Sequence, residues 1–302
     1  MNRQITKIGC IVALLVQGNY AFAQCAKTTA YTMAEALKDS LCISQLILKI
    51  RKMEQLPPTV GKLKNVEMMD LQKNQFVLLP DEIGELKKLR QLVLTGNSLK
   101  RLPETFPSMT SLNMLMMDKN HLAGLPKGFD RLNGLRTLDI SWNDFASLSD
   151  DVTTLKELTV LSAHHNHILY LPSGMGNLSK VEFLDLGYNQ LTTLPAGIAK
   201  MKGLKELNLT ENKLTTLPGN IGRMRSLKMI AVSGNELTAL PESIGNLEEL
   251  EMLAVSNNQL TDLPESIKKL KNLRTLYLVN NRFDEQTKQK IKNWLPNTQV
   301  TF

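Results

Sequence analysis

Three of the four histidines in this chain fall within four residues, at His164, His165 and His167. Imidazole nitrogens bind transition metals, and a His-x-His pair with an adjacent His could supply three zinc ligands. No cysteine joins the group, however, and strand neighbours point to opposite sides of an extended chain. Contact with a ligand at the surface is the reading that needs fewest assumptions, and a metal-dependent enzyme stands as an alternative. Other catalytic signatures are missing. There is no nucleophile–base motif, Walker loop, dinucleotide fingerprint or kinase signature. Leu102-Pro103-Glu104-Thr105-Phe106 approaches a sorting signal but lacks its glycine, and Asn177-Leu178-Ser179 and Asn208-Leu209-Thr210 match a glycosylation pattern by composition alone. The expectation is a protein without catalytic residues, cofactor or metal.

The elements that position these histidines follow from a strict repeat. Asparagine occupies every twenty-third residue at Asn74, Asn97, Asn120, Asn143, Asn166, Asn189, Asn212, Asn235, Asn258 and Asn281. A fixed period of this length means a solenoid, one short structural unit per period stacked on its neighbours. The shared frame is L-x-x-L-x-L-x-x-N-x-L-x-x-L-P-x-x-I-G-x-L-x-x. Units begin at Ile43, Val66, Leu89, Leu112, Leu135, Leu158, Val181, Leu204, Leu227, Leu250 and Leu273, eleven in all, the first with Arg51 in place of Asn.

Each part of the frame converts to shape. L-x-L has the period of a strand, so its leucines point inward and the intervening residues outward. The Asn comes where the chain must turn, and its carboxamide can satisfy buried backbone groups there and in the next coil. The L-P-x-x-I-G stretch predicts one helical turn, with Pro at its first position and Gly84, Gly176, Gly222 and Gly245 as left-handed stops. At roughly 4.8 Å per stacked strand, eleven coils span about 50 Å.

On these residues the chain resembles the leucine-rich repeat family over 43–283. The L-P-x-x-I-G-x-L version is similar to that of secreted leucine-rich repeat proteins of spirochaetes and Bacteroidetes, and to Ras-pathway leucine-rich scaffold proteins. The closing segment, from Lys292-Asn293-Trp294-Leu295-Pro296 to Phe302, favours the bacterial group. The resemblance implies an α/β fold. It would be a right-handed solenoid shaped as a horseshoe, with parallel strands on the concave face, short helical turns on the convex face, and partner binding on the concave side.

The flanks predict an export signal and two caps. Arg3 and Lys7, the apolar run 8–16 and Ala21-Phe22-Ala23 make residues 1–23 a signal peptide. Removal of those two basic residues takes the net charge from +7 to +5. Export would place the protein in the periplasm, at the cell surface or outside the cell. Residues 24–42 would form an N-terminal cap, with a Thr32–Glu35 capping box and Met33, Leu37 and Leu41 on one face. Residues 284–302 would form a cap helix and an edge strand. Cys25 and Cys42 are either a disulfide or a mobile thiol and a buried one. No other run is long enough to span a membrane, and a monomer is expected. Nucleic acid is not expected, because outward strand positions include Asp70, Asp118, Asp139 and Asp185.

The outward positions hold the candidate binding residues. Met114, Met116, Trp142, Val160, Phe183 and Tyr188 gather in neighbouring coils, with His164, His165, Asp118, Asp139 and Asp185 among them. Apolar anchors beside fixed charges suit an unidentified protein or peptide partner. The alternatives are that the large side chains merely shield neighbouring strands, or that Trp142, Tyr188 and Tyr277 stack against a glycan.

Overall fold

The computed structural model describes Cys25 and residues 27–302. The expected signal peptide at 1–23 lies outside the described residues. The strands are β1 (Thr29–Ala30), β2 (Gln45–Ile47), β3 (Met68–Asp70), β4 (Gln91–Val93), β5 (Met114–Met116), β6 (Thr137–Asp139) and β7 (Val160–Ser162). The series continues with β8 (Phe183–Asp185), β9 (Glu206–Asn208), β10 (Met229–Ala231), β11 (Met252–Ala254), β12 (Thr275–Tyr277) and β13 (Gln299–Thr301). All thirteen form one open sheet in sequence order, and each pair is parallel. The register advances by 23 residues from coil to coil, as in Thr137↔Val160 and Val160↔Phe183.

The middle residue of each strand from β2 to β12 is buried, while its two neighbours line the concave side. Leu115, Leu138, Leu161 and Leu184 have no exposed surface. Phe76, Phe106, Phe129 and Phe145 fill the same core at leucine or isoleucine positions of the frame. On the convex side each coil but the last closes with a 3₁₀ turn, such as Asp81–Glu85 or Glu242–Asn246.

Two details of the convex turns depart from expectation. Pro80, Pro172, Pro195, Pro241 and Pro264 precede the turns as extended N-caps rather than occupying the first helical position. The fixed proline φ suits that extended entry equally well. Gly84, Gly176, Gly222 and Gly245 are not left-handed stops, since positive φ among glycines occurs at Gly96, Gly128 and Gly234. They are small because the next coil presses on them. A Cβ on Gly84 would stand 2.5 Å from the Thr105 carbonyl oxygen.

The asparagine ladder binds coil to coil. Asn189 Nδ2 donates to the carbonyls of Ala163 and Leu186, both at 3.0 Å, and its Oδ1 accepts from the Ile168 amide at 3.0 Å. The same three bonds recur at Asn143, from the Leu122 amide and to Met117 and Ile140. These carboxamides are buried, so each carries groups that water cannot serve.

The N-terminal helix α1 (Met33–Lys38) starts at Thr32, whose hydroxyl accepts from the Glu35 amide. The Glu35 carboxylate returns to the Tyr31 amide, one residue earlier than the usual capping box. Met33 and Leu37 pack on the core, but Leu41 is 83% exposed because the helix ends before it. Cys25 and Cys42 form a disulfide that ties the first described residue to the segment entering β2. At the other end, α2 (Glu285–Trp294) buries Ile291, and β13 adds to the sheet. No helix among the described residues is long and apolar enough to cross a membrane.

Candidate functional site

The site begins with a backbone constraint. The residue before each ladder asparagine is left-handed, with φ of 54° at Trp142, 52° at His165 and 54° at Tyr188. Non-glycine residues seldom adopt this region. Here the neighbouring coils impose it, since Trp142 donates its amide to His164 O and Tyr188 donates to Thr210 O. Repetition in register then stacks the side chains. The Trp142 and His165 rings lie 3.7 Å apart and 11° from parallel, and His165 and Tyr188 lie 4.1 Å apart at 17°. The stack ends in solvent at both sides, with Trp142 47% and Tyr188 49% exposed.

His164 joins this stack from the side. Its Nδ1 lies 2.8 Å from Nδ1 of His165, so one ring donates a proton to the other. The left-handed turn at His165 breaks strand alternation and brings adjacent rings to one side, contrary to the expectation from an extended chain. Burial and the neighbouring His164 lower the His165 pKa, with Asp185 opposing them. His167 lies apart from this pair. Its Nε2 is 3.7 Å from Asp144, which His121 approaches at 3.5 Å from the other side. The three clustered histidines thus divide between two places, and no group of three metal-binding side chains forms among the described residues. His121, Asp144 and His167 share one frame position at intervals of 23. That column was open to sequence inspection and was missed.

The strand floor beneath the stack carries the remaining candidates. Met114 and Met116 on β5 lie beside Thr137 and Asp139 on β6, and Val160 on β7 lies beside Phe183 on β8. All these are half-buried. The carboxylates are fixed by neighbours. Asp118 accepts from Thr95 Oγ1 at 2.6 Å. Asp185 accepts from the Gly187 amide and Asn208 Nδ2 at 3.0 and 2.9 Å. Asp139 accepts from the Ser141 amide at 2.9 Å, and Ser141 Oγ meets Ser162 Oγ at 2.7 Å. Burial raises the Asp139 pKa, Ser141 eases its charge, and nearby Asp118 raises the pKa further. Asp70, expected to face outward, is buried and reached by Lys49 at 3.5 Å. The remaining candidates therefore form one continuous surface over β5 to β8 and the turns that follow them.

Known proteins share this architecture. Residues 179–298 match the family profile of a leucine-rich repeat region. A leucine-rich repeat protein of Leptospira interrogans is 25% identical, with a TM-score of 0.55 over 91% of this chain and 100% of that one. The leucine-rich repeat ectodomain of a plant membrane receptor kinase from Arabidopsis thaliana is 25% identical, with a TM-score of 0.66 over 86% of this chain. This chain spans 35% of that receptor. An internalin of Listeria monocytogenes, 20% identical, shares the fold with a TM-score of 0.67, over 88% of this chain and 84% of its own. No curated protein sequence matches the chain. The repeat frame, the thirteen-stranded parallel sheet and the matched region agree: the chain folds as an open parallel-stranded solenoid similar to those of leucine-rich repeat proteins.

Proposed function

We propose that this protein is an exported, non-enzymatic scaffold that binds a protein or peptide partner on its concave face, across β5 to β8. The observation that carries the reading is the continuous surface of Met114, Met116, Val160, Phe183, Trp142 and Tyr188 on strands and turns that cannot move independently. A solvated strand face has no need of so many large apolar groups, whereas an interface uses them as anchors. The rigid ladder fixes them before binding, so little conformational entropy is lost on docking. The receptor kinase ectodomain was solved in complex with Casparian strip integrity factor 2, which supports ligand binding by the shared fold. Glycan binding is the weaker reading. Sugars stack on open ring faces, and the inner faces of Trp142, His165 and Tyr188 are already spent on one another.

The test is affinity capture with the full chain, followed by substitution on both faces. Loss of the captured partner with Phe183→Ala, and retention with the convex Lys202→Glu, is the expected result. The reverse would move the site to the convex side.

A further inference from the structure

The chain is basic overall, with 36 Lys and Arg against 29 Asp and Glu. Its concave floor has the opposite sign. The three outward positions of each strand segment, two on the strand and one just after it, hold no Lys or Arg from Met68 to Val279. They hold Asp70, Asp118, Asp139, Asp185 and Glu206. Lys49 is the one Lys or Arg at these positions, and it pairs with Asp70, while His164 is the one histidine. Ion pairs form freely elsewhere, as at Lys180–Glu157 and Lys205–Glu182, yet none reaches Asp118, Asp139 or Asp185 among the described residues. Lys and Arg are in excess and still absent from the floor beyond Lys49, so Asp118, Asp139 and Asp185 have no Lys or Arg counter-ion among the described residues. Of the titratable groups, only the His164 imidazole favours the charge of Asp139.

The carboxylates are also held in place. Thr95 fixes one oxygen of Asp118, and Gly187 with Asn208 fixes one oxygen of Asp185. In both residues the second oxygen makes no hydrogen bond to the described residues. A carboxylate oriented by one oxygen and open at the other is prepared to accept a guanidinium or ammonium donor. Asp139 lies between them on β6, half-buried beside the apolar surface. Asp139 and Asp185 are two coils apart, about 10 Å at ordinary strand spacing. An extended peptide covers that distance in about three residues.

Resting on the concave reading above, we infer that the partner presents a basic segment, whose Arg or Lys side chains pair with Asp118, Asp139 and Asp185 while apolar side chains settle on Val160 and Phe183. Charge complementarity selects this occupant. An acidic segment would bring like charge onto desolvated carboxylates, which costs affinity. The surrounding positive charge disfavours a long polycation, so the fit is to a few basic residues within an apolar sequence.

The inference is tested with random dodecapeptides displayed on phage and selected on the immobilised full chain. Two fluorescein-labelled peptides, one alternating leucine with arginine and the other leucine with glutamate, serve as defined probes. Selected peptides should be enriched in Arg and Lys over Asp and Glu. The arginine peptide should bind at least tenfold more tightly than the glutamate peptide. That affinity should fall at least tenfold in Asp139→Asn/Asp185→Asn and with rising salt, and remain unchanged in Lys202→Glu. Binders lost in Phe183→Ala, but neither basic nor sensitive to the aspartate changes, would overturn the charge assignment and leave the concave site standing. Binders sensitive only to Lys202→Glu would overturn both. A selection without binders would overturn the peptide assignment. Thermal melting of each variant separates lost contact from lost fold.

Discussion

The ring of Trp142 lies flat against that of His165, 3.7 Å between centroids, and both residues stand in left-handed backbone. The two facts are connected. The same unusual φ, repeated every 23 residues, projects both side chains in the same direction one coil apart. Parallel strands at roughly 4.8 Å spacing bring planar rings near stacking distance. The stack is therefore a product of the repeat as well as of the residues within it.

That stack reports on protonation. Burial and His164 lower the His165 pKa, so the folded chain resists a proton that the unfolded chain accepts. Stability from neutral His165 is complete above the ordinary histidine value of about 6.5 and declines as pH falls from there through the lower folded value. Trp142 emission should change with a midpoint below about 6.5, and His165→Asn should abolish that transition. An unaltered titration in the variant would place the titrating group elsewhere.

Asp139 has the opposite sign. Its pKa is raised chiefly by burial, so its charge opposes folding at neutral pH. Asp139→Asn should raise the melting temperature by roughly 1–3 °C at pH 7. The gain should fade as pH falls through the folded value towards the unfolded one, about 3.9, because the wild-type carboxyl is then neutral as well. Melting curves at pH 7 and pH 4 decide the matter. The same change is expected to weaken binding of a basic segment, so stability and binding should move in opposite directions.

The asparagine ladder predicts a cost that depends on depth. Asn189→Ala removes three bonds from a buried turn and should destabilise by about 1–3 kcal/mol. Asn281→Ala, at the more accessible last rung, should cost less. Denaturant titration of both variants measures the difference, and equal midpoints for wild type and Asn189→Ala would contradict it.

Two glycines three residues apart give a sharper contrast. A Cβ at Gly222 would collide with the Ser243 carbonyl oxygen, while one at Gly219 meets nothing within 4 Å. Gly222→Ala should destabilise by about 1–3 kcal/mol through overpacking. Gly219→Ala should be near neutral. Equal melting temperatures for the two would show that the coils yield without cost.

The legible parts of the structure were those in which one residue type answers one need. Leu138 and Leu161 had to point inward from a strand of period two, and Asn143 had to serve a buried turn, so the fold followed from spacing. Gly84 and Gly222 were misassigned because their constraint comes from a coil 20 or more residues away, not from local conformation. His164 and His165 were placed on opposite sides because alternation was carried past Ser162, where the strand ends, into a left-handed turn. The Cys25–Cys42 bridge had been left open, since two cysteines separated by a helix fit either alternative. The surface of Phe183 and Tyr188 could be located in the repeat frame, but the mutual occupation of the ring faces could not.

The rungs of the ladder have a consequence for how such a chain can change over generations. Asn189 reaches back 26 residues to Ala163 and accepts from Ile168, 21 residues back. Asn212 repeats both separations with Leu186 and Leu191. A single residue inserted between two rungs would put a carboxamide out of phase with both bonds it makes to the preceding coil. Duplication or excision of 23 residues would hand each bond to an equivalent neighbour. Length in this architecture is quantised, and genetic drift can add or drop whole coils beyond Asn212 without shifting Asp139 relative to Phe183.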